Sequence, residues 1–171
     1  MAERKAVPLP THPFGRTLHR LAFVFVLIGS AIMAAVIVMT VISILGRWLF
    51  LTPVYGDFEL AAIGTAVSVF LFLPYAHLQK GNVVIDLFLS WAPPRVQIFF
   101  DGLSGFVLGA FGAVLAWRMF VGGMDLLRVG EVTTIVGMPI WYAFPFAVAS
   151  GVLLALACLY TATKDLQTVL R

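Results

Sequence analysis

Between Arg20 and Arg47 the chain reads LAFVFVLIGSAIMAAVIVMTVISILG, residues Leu21–Gly46, without one charged side chain. As a helix this run is about 39 Å long, more than the ~30 Å hydrocarbon core of a bilayer. A cleaved secretory signal has an apolar region of only roughly 7–15 residues before a small-residue cleavage site. Leu21–Gly46 is therefore expected to be a retained membrane anchor.

The rest of the chain has the same character. Of its 171 residues, 61% are apolar and 11% are charged, whereas a soluble domain is about a quarter charged. A mean hydropathy of +1.03 excludes a water-soluble fold, and it excludes disorder, which needs low hydrophobicity. The net charge is only +3, and the Lys and Arg are scattered rather than gathered on a helix face. Nucleic acid is thus not an expected partner. Cys158 stands alone in an apolar run, so no disulfide framework and no CxxC metal site is present.

Three further runs can span. Leu60–Ala76, between Glu59 and His77, covers about 26 Å, enough if those two polar residues sit at the headgroups. Val96–Trp117 lies between Arg95 and Arg118 and is interrupted once, by Asp101. Pro93 and Pro94 suit its start, since proline is tolerated in a first helical turn. Val132–Thr163 carries no charge. Pro139 is expected to open its helix and Pro145 to kink it, while Pro74 and Pro145 are both easier to accommodate inside a membrane. Between the second and third spans, Val83–Trp91 is too short to cross and ends in an interface-seeking Trp; a short amphipathic helix lying in the headgroup plane is expected there. The expected fold is an all-α integral membrane protein of four transmembrane helices plus this interfacial one. Residues 1–20 form an amino-terminal tail, 21–163 the transmembrane domain and 164–171 a carboxyl-terminal tail.

Four spans put both termini on one side. Arg4, Lys5, Arg16, Arg20, Lys80, Arg95, Lys164 and Arg171 fall there, against Arg47, Arg118 and Arg128 opposite. The positive-inside rule places the termini in the cytoplasm. The opposite loops are expected to hold Asp57, Glu59, Asp125 and Glu131.

Few residues could carry chemistry. Axial haem ligation would need facing histidines in the spans, but only His77 lies near one; His12 and His19 belong to the tail. An interfacial polar role for His77 outweighs a ligand role. No HExxH, phosphate-cradling loop or paired intramembrane acid occurs. No catalytic, cofactor or metal site is expected. Asp101 is the one acid within a span, where the default reading is a proton or ion ligand. Without a second acid for coordination, pairing with Arg95 or Lys164 is the stronger reading. The third span aligns Gly102, Gly105, Gly109, Gly112 and Ala116 on one face, and the fourth aligns Ala143, Ala147, Gly151 and Ala155. Small faces let helix backbones approach closely, in this chain or against a partner. The result reads as a rigid bundle serving as a scaffold.

Three motifs carry a family resemblance. They are Gly46-Arg47-Trp48-Leu49-Phe50 followed by Glu59; Lys80-Gly81-Asn82-Val83-Val84-Ile85-Asp86; and Gly130-Glu131-Val132-Thr133-Thr134-Ile135-Val136-Gly137-Met138-Pro139-Ile140-Trp141, leading to Pro145. From about Leu21 onward the chain resembles the small membrane subunit, the Q component, of tripartite ATP-independent periplasmic (TRAP) transporters. It departs from the family at Tyr55-Gly56-Asp57-Phe58-Glu59, where a Trp and a pair of acids are frequent, and at Asn82, where His is frequent. The resemblance implies a bacterial inner-membrane protein without cofactor that accompanies a large multi-span M subunit. A soluble periplasmic P protein would deliver an organic anion, often a carboxylate. The M subunit would move it by a sodium-driven elevator motion, with the Q subunit as brace. Docking of the P protein would involve the charged groups of the outer side, Arg47, Asp57, Glu59, Arg118, Arg128 and Glu131. Two alternatives have similar hydropathy: the small subunit of a tripartite tricarboxylate transporter, and a redox membrane-anchor subunit. The missing histidine pair argues against the second.

Overall fold

The computed structural model describes residues 13–79 and 94–169. Four α-helices make up most of it: α1 (Pro13–Phe50), α2 (Asp57–Leu78), α3 (Pro94–Val129) and α4 (Phe144–Val169). A 3₁₀ turn, Ile140–Ala143, leads into α4. Each helix contains a stretch long and apolar enough to cross a membrane, so the all-α, four-span class read from the sequence is the observed one. The interfacial helix expected at Val83–Trp91 lies outside the described residues.

The helices outrun their apolar stretches, because loss of hydrophobicity does not end a helix. α3 passes Arg118 and continues to Val129. It stops at Gly130, whose φ of 70° ends the helical path, and whose N–H returns to the Leu126 carbonyl at 2.9 Å. Only a residue without Cβ takes that left-handed geometry at no steric cost. Arg118 and Asp125, expected in a loop, are thus helical. Pro145 does not kink a helix interior either. It is the second residue of α4, where its missing N–H removes no helical bond.

The helices form an open row. α1 packs along α2, α2 against α4, and α4 against the length of α3. α1 reaches α4 near one end, where Leu18 and Ala22 share a core with Leu153 and Ala157. Small residues set the distances. A Cβ on Gly29 would lie 2.9 Å from the Phe72 ring, and one on Gly64 2.5 Å from Val36, so α1 and α2 touch through glycines. Across α3 and α4, a Cβ on Gly109 would stand 3.0 Å from Cys158 Cβ, and one on Gly151 3.0 Å from Ala116 Cβ. Without water to drive apolar association, such close van der Waals contact is the main source of helix pairing in a bilayer.

Polar groups tie α2 to α4 at two depths. Pro74 has no N–H, so the Phe70 carbonyl four residues earlier lacks its helical donor. Ser150 of α4 donates its hydroxyl to that carbonyl. Nearer the far end, His77 Nε2 lies 2.9 Å from Thr161 Oγ1. Thr161 Oγ1 also lies within hydrogen-bonding distance of the carbonyls of Ala157 and Cys158. From Glu59 to His77, α2 spans about 27 Å, close to the hydrocarbon thickness.

Candidate functional site

Of the charged side chains expected on the outer side, Arg47, Asp57 and Glu59 gather around the start of α2. Gly56 precedes that helix with φ 73°, and a Cβ there would fall 2.1 Å from Val136 Cγ2. The position therefore requires glycine twice over, for the backbone angle and for the space. Asp57 and Glu59 follow in the first turn, where the helix dipole favours negative charge.

Each acid has a different partner. Asp57 Oδ2 accepts the Ser43 hydroxyl at 2.5 Å and lies 3.3 Å from Arg47 Nη2. Ser43 in turn accepts the Val54 N–H at 3.2 Å. One buried hydroxyl thus connects the last turns of α1, the α1–α2 connection and the first turn of α2. The exposed Arg47 end of the cluster is screened by solvent and contributes little by itself. Glu59 reaches the loop that leads into α4: its Oε1 accepts the Ile135 N–H at 2.8 Å and its Oε2 the Val136 N–H at 3.0 Å. A carboxylate taking two backbone donors makes strong, charge-assisted hydrogen bonds.

That loop is a compact hairpin. Thr133 N–H donates to the Met138 carbonyl at 2.9 Å, and Ile140 N–H to the Glu131 carbonyl at 3.2 Å. The Thr133 hydroxyl accepts the Met138 N–H at 3.0 Å. Gly137, at φ 72°, makes the turn. The Ile135 and Val136 donors left over by the turn are the ones Glu59 takes.

The structure therefore joins Arg47 to Asp57 and Glu59 to the hairpin. Glu131 begins the hairpin and is exposed; Arg128 is exposed in the last turn of α3. Arg118 belongs to none of this, since it lies three turns down α3. The glycine face, Gly102, Gly105, Gly109 and Gly112 with Ala116, is buried, and Gly105, Gly109, Gly112 and Ala116 meet α4 residues of the same chain. Asp101 is in α3, but its side chain lies outside the described ones, as do those of Arg95 and Lys164. Around Gly123, α3 and the start of α4 border an apolar groove lined by Phe120, Leu127, Trp141 and Phe144.

Among the described residues, no group of three or more His, Cys, Asp or Glu is placed to hold a metal ion. The acids at the start of α2 are engaged in fastening backbone, so the cluster is built for rigidity. Sequence reasoning missed Ser43, Gly56, Gly29, Gly64 and Ser150. A glycine or serine in an otherwise apolar run was the available signal, but it does not say which helix approaches.

No curated protein and no solved structure matches the chain significantly. A family sequence model does: Tripartite ATP-independent periplasmic transporters, DctQ component, over residues 36–168.

Proposed function

The chain belongs to the DctQ family, the small membrane component of tripartite ATP-independent periplasmic transporters, and from that premise we propose that it is the non-catalytic brace of a sodium-driven importer. A large multi-span M subunit would carry the substrate, an organic anion such as a carboxylate, in an elevator-like motion. A soluble periplasmic P protein would deliver it. The observation that carries this reading is the open row of helices. Apolar side chains on α1 and α3, such as Ile37, Ile44, Phe106 and Phe111, stay exposed, leaving faces that lipid or a second membrane protein can cover. Such faces suit a stator laid along a second membrane protein, in the way apolar patches mark interaction sites elsewhere.

Eight Lys or Arg on the side of the termini, against Arg47 and Arg128 on the other with Arg118 inside α3, support an inner-membrane orientation with both termini cytoplasmic. On that orientation the Asp57–Glu59 cluster and the hairpin face the periplasm. A rigid, hydrogen-bonded rim there suits the docking of a soluble protein, with Arg47, Arg128 and Glu131 offering exposed charge.

The test is reconstitution. The tagged chain, purified in mild detergent, should bring down a much larger multi-span protein. In liposomes, uptake should need both subunits, the binding protein and an inward sodium gradient. Equal uptake by the large subunit alone would overturn the bracing role. Co-purification with a soluble redox enzyme and a Soret band would point to a redox anchor instead.

A further inference from the structure

Arg118 occupies a depth at which membrane helices seldom carry charge. A Cβ on Gly151 would lie 3.0 Å from Ala116, and Ser150, its neighbour, bonds the Phe70 carbonyl. Phe70 is about 16 Å along α2 from Glu59 and about 10 Å from His77. Arg118 stands two residues beyond Ala116, about 3 Å back toward the Glu59 end. It therefore sits near the middle of the apolar slab that Glu59 and His77 bound.

Its face is equally telling. Gly109, Gly112 and Ala116 point at α4, and a helix turns about 100° per residue. Arg118 thus falls on the opposite side of α3, in line with Val107, Phe111 and Val114. Those three are 61%, 60% and 57% exposed, and Arg118 is exposed with them. Among the described residues Arg118 has no hydrogen bond or ion pair. Escape to the surface is poor, because Arg118 is about equally far from both ends of the slab. The headgroups are about 14 Å distant by the helical rise, farther than an arginine stem reaches by snorkelling. An intramembrane cation is normally paired with a group of opposite charge facing the bundle interior.

We infer that the outer face of α3, made of Val107, Phe111, Val114 and Arg118, seats a spanning segment of the second membrane subunit, with an acidic side chain of that segment meeting Arg118 at mid-bilayer depth. This rests on the reading that a large membrane subunit accompanies the chain. A protein carboxylate is the occupant because a lipid phosphate does not reach this depth.

The experiment compares the full complex, purified through a tag on this chain in mild detergent, for wild type, Arg118→Gln and Arg118→Lys. Loss of one partner of a desolvated charge pair should lower large-subunit recovery about fivefold or more for Arg118→Gln. Arg118→Lys, which keeps a cation for the carboxylate, should retain at least about half. A photo-cross-linking residue at Val114, in a chain that keeps Arg118, should capture the large subunit in membranes; this arm stands even if Arg118→Gln fails to accumulate. A smaller loss with Arg118→Gln, or cross-links from Val114 only to lipid or to a second copy of the chain, would overturn the assignment while leaving the complex itself established. A wild-type preparation without any large subunit would instead overturn the transporter reading, and this one with it.

Discussion

Ser150 donates its hydroxyl to the carbonyl of Phe70, the one acceptor in α2 that Pro74 leaves without a helical donor. Both Ser150 and Pro74 are fully buried. In a bilayer no water is available to satisfy such a carbonyl, so the serine and the proline act as a pair across two helices.

The pair can be tested by a mutant cycle. Ser150→Ala should destabilise the chain by about 1–3 kcal/mol, the cost of an unsatisfied buried acceptor. Pro74→Ala supplies an N–H to Phe70, so Ser150→Ala should cost much less in that background. Unfolding in mixed detergent micelles would measure the four variants. Additive costs would show that the two residues are uncoupled.

Glu59 should hold the hairpin shut. Glu59→Ala removes the acceptor of the Ile135 and Val136 N–H groups, which then lose their charge-assisted partner. Hydrogen exchange at those two amides should speed up several-fold, on the order of tenfold. Exchange in the middle of α2 should stay as it is. Unchanged protection at Ile135 and Val136 would mean that the hairpin stands without its carboxylate.

At Gly56 two penalties are separable. Gly56→Ala meets both the φ of 73° and the Val136 side chain. Val136→Ala should relieve the clash and leave the conformational cost, about 1–2 kcal/mol for a non-glycine residue in the left-handed region. Thermal unfolding of the single and double variants should therefore show partial rescue. Full rescue would show that the backbone angle carries no cost.

The glycine face of α3 predicts a graded series. Gly109→Leu places a branched side chain where Cβ alone would be 3.0 Å from Cys158 Cβ, and Gly105→Leu where the nearest atom is 3.4 Å away. Overpacking of this sort costs about 1–3 kcal/mol or more, and Gly109→Leu should be the worse of the two. Because α4 of the same chain fills this face, the folded chain itself should be lost, before any question of assembly. Leu108→Ala, off that face, should be milder. Monodisperse yield in detergent reads the order, and equal yields would remove the face from the account of packing.

Topology is open to labelling. With Cys158 replaced, a cysteine at Thr52 or Arg128 should react with an impermeant maleimide from the periplasm, and one at Gly81 should not. Native Cys158, fully buried, should label only after denaturation. Reaction at Gly81 from outside would reverse the orientation drawn from the charge count.

The four spans and the uneven distribution of Lys and Arg are properties of single segments, and the sequence alone determined the first and supplied the second. Insertion of a span depends on the transfer free energy of its own side chains, which adds along the run and needs no knowledge of neighbours. The glycine and alanine stripes of the third and fourth spans were legible for the same reason, as periodicity within one helix. Only the tertiary structure decided that the third span lies on the fourth, that the first and second touch through Gly29 and Gly64, and that the row stays open. Phe, Leu and Val faces are nearly equivalent to one another and to lipid, so composition does not choose among them; shape and register do. The same register set Glu59 against a hairpin 77 residues away and Ser150 against Phe70. It also moved Arg118 from the end of a span, where the end of an apolar run had put it, to the interior of α3, because the helix continues to Val129.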